Sequence, residues 1–170
     1  MLFWFVLIGS LALDQLTKFI ISTNMNLRQT IPVIEDIFHI TYVTNYGAAF
    51  GILQGQRWLF IVITLAALSA TLIFLRSIPK TAWRMRLSLG LFCGGALGNF
   101  VDRIFNNGAV IDFIDFRVFP IFNFADMFII IGCALLVIEV FRMERQEKRA
   151  KQAGKVQQTQ AEELVDATTD

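Results

Sequence analysis

The sequence predicts an all-α membrane protein with a small β element: four transmembrane helices and a short outer sheet. Three observations carry this expectation. The chain of 170 residues is 55% hydrophobic with a mean hydropathy of +0.58, values that a soluble domain of this length rarely reaches. Its apolar residues gather into four runs, each near the roughly 20 residues that a helix needs to cross about 30 Å of hydrocarbon. Its cations cluster on alternate connections between those runs, which orients them.

The first run, Leu2 to Ile21, has no basic leader and no A-x-A cleavage pattern, and Asp14 interrupts it. It reads as a retained first span and not as a signal segment. The second, Trp58 to Leu75, carries no charge, and the third, Leu87 to Ile104, ends on Asn99, Asp102 and Arg103. The fourth, Ile121 to Phe141, begins just after Pro120. Arg76, Lys80, Arg84 and Arg86 flank the connection between runs two and three, and Arg142, Arg145, Lys148, Arg149, Lys151 and Lys155 follow run four. The connection from Ser22 to Gln56 contains only Arg28, and that from Phe105 to Pro120 only Arg117. Cation-rich segments stay in the cytoplasm, so both termini are expected inside and those two connections outside.

Residues 1–142 thus form the four-helix domain, with an outer β-rich segment at about 22–56. Thr30 to Val33, Phe38 to Val43 and Ala48 to Leu53 are β-branched or aromatic-rich and predict three antiparallel strands lying on the membrane surface. His39 is expected on a strand, facing solvent or headgroups. Residues 143–170 are polar, a cytoplasmic tail expected to extend the last helix briefly and then fray. Gly90, Gly94 and Gly98 recur every four residues, with Gly95 and Ala96 beside them, a small face for close helix packing in lipid.

A net charge of +1 supplies no bulk field for nucleic acid. Cys93 and Cys133 each lie in an apolar run and are expected to be buried. No H-E-x-x-H, CxxC or Cys/His cluster points to a metal, no G-x-S-x-G to a serine nucleophile, and nothing calls for a cofactor. The chemistry-bearing residues are acids. Asp102 and Arg103 close run three, Asp112 and Asp115 lie in the second outer connection, and Asn123 and Asp126 open run four. Asn45 and Gly47 come from the first outer connection, so all of these meet at one face. Carboxylates in such apolar surroundings are costly to ionise and need an explanation. Two neighbouring aspartates there tend to hold one proton between them, so that one draws a proton from water while the other hydrogen-bonds a carbonyl.

Each residue also has a plainer role. Asn123 and Asp126 suit a helix start, Asp102 and Arg103 an ion pair, and Asp115 a partner for Arg117. Asp14 suits a pair with Lys18 one turn on, and Asn45 a turn. The stretches LDQLTK from Leu13, TNYGAAF from Thr44, GGALGNFVDRI from Gly94, VIDF from Val110 and FNFAD from Phe122 together resemble lipoprotein signal peptidase (signal peptidase II), a family of bacterial membrane aspartic peptidases. They follow that family's order and spacing over about residues 2–142.

The resemblance implies that Asp112 and Asp126 are the catalytic dyad, and it decides between Asp112 and Asp115. It implies that Asn45, Gly47, Asn99, Arg103 and Asn123 line the site, with Asp14 and Asp102 as supporting residues. The implied substrate is a prolipoprotein whose cysteine bears a diacylglyceryl group, cleaved just before that cysteine. The implied enzyme is a monomer in the bacterial cytoplasmic membrane, in contact with membrane lipid, its site at the extracytoplasmic face. Two other readings compete: a small proton-coupled transporter, since intramembrane acids mark ion paths, and a non-catalytic scaffold built on the glycine face. The acids collect at one face and do not form a relay across the bilayer, which disfavours the transporter.

Overall fold

A computed structural model describes residues 1–47 and 52–169. Helices α1 (Leu2–Asn24), α2 (Arg57–Ser77), α3 (Trp83–Phe105) and α4 (Phe124–Thr169) alternate with strands β1 (Thr30–Ile34), β2 (Phe38–Asn45) and β3 (Val110–Asp115). α1, α2 and the first part of α4 are each long and apolar enough to cross a membrane. α3 does not reach that hydropathy, because Arg84 and Arg86 lie near its start and Asn99, Asp102 and Arg103 near its end.

α3 is the hub and packs against α1, α2 and α4. Close approach follows from its glycines. A Cβ on Gly90 would meet the Phe3 carbonyl at 2.9 Å, and one on Gly98 would meet the Asp14 carboxyl carbon at 2.9 Å. Gly95 faces the other way: a Cβ there would run into the Ala125 carbonyl and reach the Ile129 N–H nitrogen at 3.1 Å. α1 presents Phe3, Leu7, Ser10, Asp14 and Lys18 inward at helical spacing. α2 buries only Ile61 and Thr71; exposed Trp58, Val62 and Ile73 give it the outward apolar surface of a helix solvated by lipid.

The sheet differs from the expected one. Its order is β1-β2-β3, all antiparallel, and the third strand comes from the second outer connection, not from Ala48 to Leu53. Residues 48–51 of that expected strand lie outside the described residues, and Leu53 turns the chain with φ 57°. β3 is buried along its whole length. Paired to β2 on one edge, it exchanges hydrogen bonds with Phe122 on the other. A strand so enclosed carries no alternation of polar and apolar residues to advertise it. His39 is buried, not solvent-facing, because β2 is the central strand and His39 lies opposite both Pro32 and Asp115.

Two apolar clusters bracket the bundle. Phe3, Leu7, Ile78, Met85, Leu89 and Cys93 form one at the cation-rich end. Ile111, Phe113 and Ile114 form the other, packed on Ile21, Phe38, Ile40, Phe122, Phe124 and Met127, and it seats the sheet on the opposite end. α4 runs unbroken through Thr169, where a short extension and fraying were expected. The segment after Met143 is rich in helix-forming Glu, Gln, Lys and Ala, and Glu147 pairs with Lys151 one turn on at 2.6 Å. Cys133 is exposed on the outer face of α4, and only Cys93 is buried.

Candidate active site

Between the two apolar clusters lies a layer of buried polar side chains. Asn123 is its keystone, and α4 explains why it stands there. Asn123 caps α4: its Oδ1 accepts the Asp126 N–H at 3.0 Å, and Asp126 Oδ2 accepts the Asn123 N–H at 3.2 Å. This reciprocal capping box fixes both side chains at the helix start. The free Asn123 amide then donates to Asp112 Oδ1 at 2.6 Å, to the Ile111 carbonyl at 3.2 Å and to Asn99 Oδ1 at 3.1 Å. The capping role of Asn123 and Asp126 and their place beside Asp112 are therefore one arrangement.

Asp112 projects from β3, where the pairing with β2 shifts register between Ile40 and Val43, a bulge of the kind that re-aims side chains. Its Oδ2 accepts from the Asn45 amide at 3.1 Å, while Asn45 Oδ1 accepts the Gly47 N–H at 2.9 Å. Asn45 is thus both a turn residue and a site residue. Asp126 Oδ1 accepts from the Asn99 amide at 2.7 Å. Asp112 and Asp126 line one cleft of about 360 Å³, together with Asn45, Gly47, Asn99 and Arg103. Its remaining wall is apolar, made by Val110, Phe119 to Phe122, Ile129 and Ile130.

Arg103 does not pair with Asp102. Its guanidinium donates to the Gly47 carbonyl at 3.2 Å and to the Asn99 carbonyl at 3.4 Å, and it stacks 4.5 Å over the Phe60 ring. Its Nε is buried without a partner. Asp102 instead meets Lys18. The Lys18 ammonium, only 2% exposed, lies 2.9 Å from Asp14, 3.0 Å from Asp102 and 3.0 Å from Asn99 Oδ1. Three donors meet three acceptors, so a buried ammonium is fully satisfied. Asp14 also accepts the Ala125 N–H at 2.9 Å, and Asp102 the Ile111 N–H at 3.0 Å. These two acids thereby hold the segments that carry Asp126 and Asp112.

The sequence reading paired Lys18 with Asp14 alone. It missed Gln15, whose amide bridges Asp14, Asp102 and the Gly98 carbonyl at 3.1–3.2 Å. Two acids on different helices facing one lysine was the available signal.

Asp115 points elsewhere. It accepts from the Thr41 hydroxyl at 2.7 Å and the Arg117 N–H at 2.8 Å, and pairs with the Arg117 guanidinium at 3.5 Å. Burial pushes its pKa up, but these three partners more than offset that and hold it below the usual carboxylate range. Asp112 behaves oppositely. Burial and then the neighbouring Asp126 charge push its pKa to about 7, against the pull of Asn45 and Asn123. Such a pair holds a proton on one member in the neutral range, and it can activate water on one side and polarise a carbonyl on the other. Among the described residues, no group of His, Cys, Asp or Glu is placed to hold a metal ion.

The family described as signal peptidase (SPase) II matches residues 6–142. The lipoprotein signal peptidase of Halothermothrix orenii is 45% identical over 142 residues, 84% of this chain and 97% of that one. The lipoprotein signal peptidase of Brevibacillus brevis is 48% identical over 142 residues, 81% of this chain and 95% of that one. A solved bacterial membrane enzyme, determined by the in meso method at 2.3 Å, superposes with a TM-score of 0.77 at 37% identity, covering 81% of this chain and 86% of that one.

Proposed function

Because this chain belongs to the signal peptidase II family of membrane enzymes that process lipoproteins, we propose that Asp112 and Asp126 are its catalytic dyad. In this reading it is an aspartic endopeptidase that removes the signal peptide from diacylglyceryl-modified prolipoproteins, just before the modified cysteine. The observation that carries it is the Asn123 amide, which joins Asp112 to the cap that holds Asp126 on the wall of one cleft.

Asp112, with its raised pKa, carries the proton and hydrogen-bonds the scissile carbonyl oxygen. Asp126 takes a proton from water as the water oxygen attacks the carbonyl carbon. Asp112 passes its proton to the carbonyl oxygen in that step, giving a gem-diol. As the C–N bond breaks, the Asp126 proton passes to the departing amine and a diol hydroxyl returns its proton to Asp112, which leaves the dyad as it began. Arg103, Asn45 and the Gly47 backbone hold the substrate main chain. Asn99 and Asn123 orient the two carboxyls, and Asp14 and Asp102 fix the segments behind them.

The chain spans the bacterial cytoplasmic membrane four times with both termini inside, α3 included, since its polar end is buried against α1 and α4. The site then faces the exterior at the membrane surface. The apolar wall of the cleft suits a substrate that stays in lipid, its two acyl chains anchored at about 0.8 kcal/mol per buried methylene. Recognition thus rests on the lipid, and an unlipidated precursor is cut far more slowly.

The test is purified protein with lipidated precursor, wild type beside Asp112→Asn and Asp126→Asn. Either variant folds and loses cleavage by on the order of 10³-fold or more, and the double variant loses little beyond that, since the two act as a unit. A chelator leaves the wild-type rate unchanged. Near-normal cleavage by either variant would refute the dyad.

A further inference from the structure

A second cleft, of about 240 Å³, lies between the start of α3 and the middle of α4, at the end of the bundle away from Asp112 and Asp126. Three charged side chains border it, Arg84, Glu139 and Arg142. Among the described residues none of the three has an ion-pair or hydrogen-bonding side-chain partner. The nearby Arg86 differs, being committed to the Ile78 and Pro79 carbonyls at 2.6 and 3.1 Å. Charges of both signs converging on one groove suit an occupant that carries both signs.

The order of residues along the groove names the rest of that occupant. α3 runs from this end toward the polar layer and α4 runs back, so Leu87 lies deeper than Trp83 and Arg84. By the same logic Leu135 and Ile138 lie deeper than Arg142. Both helices put an arginine at the rim and aliphatic side chains toward the bilayer centre, with Glu139 at the step between them on α4. Trp83, 55% exposed at the rim with the Arg84 guanidinium 5.0 Å over its ring, is the side chain typical of headgroup depth.

We propose that this groove holds one phosphatidylethanolamine-type lipid. Its phosphate lies between Arg84 and Arg142, its primary ammonium on Glu139, and an acyl chain along Leu87, Leu135 and Ile138. Glu139 decides the class of lipid. A purely anionic headgroup would satisfy the two arginines but would set its charge against this carboxylate.

The experiment uses delipidated full-length protein in detergent, titrated with phosphatidylethanolamine or phosphatidylglycerol of matched short chains and read by native mass spectrometry. Wild type retains phosphatidylethanolamine over phosphatidylglycerol by about fivefold, the upper range for a half-exposed ion pair. Glu139→Gln levels the two, and Arg84→Gln with Arg142→Gln weakens both. Wild type holding phosphatidylglycerol equally well or better would overturn the proposal, as would an undiminished preference in Glu139→Gln or a second protein copy in place of lipid. Precursor cleavage, which occurs at the far end of the bundle, identifies any variant that failed to fold. The wild-type comparison decides even then.

Discussion

At the scale of single residues, the consequence of the Asp112 environment is a pH dependence of definite sign. Its folded pKa is raised from 3.8 to about 7, so the folded protein keeps a proton that the unfolded chain releases between those values. Native stability therefore falls as pH rises through that window and levels off above about 7. The cleavage rate falls as pH rises past the same value, because the protonated partner is lost. Melting curves and initial rates across this range check both, and Asp112→Asn flattens the melting dependence. Lys18 tests the support behind the dyad. Lys18→Met leaves Asp14 and Asp102 buried without their cation and costs roughly 3–5 kcal/mol, with partial recovery when Asp102→Asn is added. The motifs pointed to the acids that gather in the polar layer, but not to their partners. Asp102 precedes Arg103 in the chain yet bonds Lys18, since adjacent residues on a helix point in different directions.

At the scale of elements, α1, α2 and the first part of α4 were legible because a continuous apolar run of membrane-crossing length has few other interpretations. β3 was not, because both of its edges and both of its faces are covered and its two aspartates break the apolar pattern. Once it is known to be a strand, the period of two places Asp112 and Asp115, three positions apart, on opposite faces. The two acids are thereby separated in space, where the residues alone had left both open. The glycine spacing of α3 was read correctly as a packing face, though it serves two neighbours. Gly95→Ala forces a methyl against the Ala125 carbonyl and is expected to destabilise the fold by about 1–3 kcal/mol. It also displaces the first turn of α4, so cleavage falls together with thermal stability.

At the scale of the whole molecule, alternate placement of cations predicts that the sheet and the tail lie on opposite sides of the bilayer. A membrane-impermeant thiol reagent applied to intact cells should label Glu35→Cys, and label Gln146→Cys only after permeabilisation. Labelling of both from outside would reverse the proposed orientation. The length of α4 was the least legible feature. Its apolar part ends where a bilayer would, and the helix then continues on local propensity and the Glu147–Lys151 pair, which hydropathy does not weigh.

The three-acceptor seat of Lys18 bears on how the chain enters its membrane during synthesis. Asp14 and Lys18 stand one turn apart on α1 and neutralise each other, so the first helix can be released into lipid with no net burden. Asp102 has no such companion on its own helix and meets its counter-ion only when α3 docks against α1. The cation that satisfies Asp102 is therefore supplied across a helix interface, and only the assembled bundle offers it.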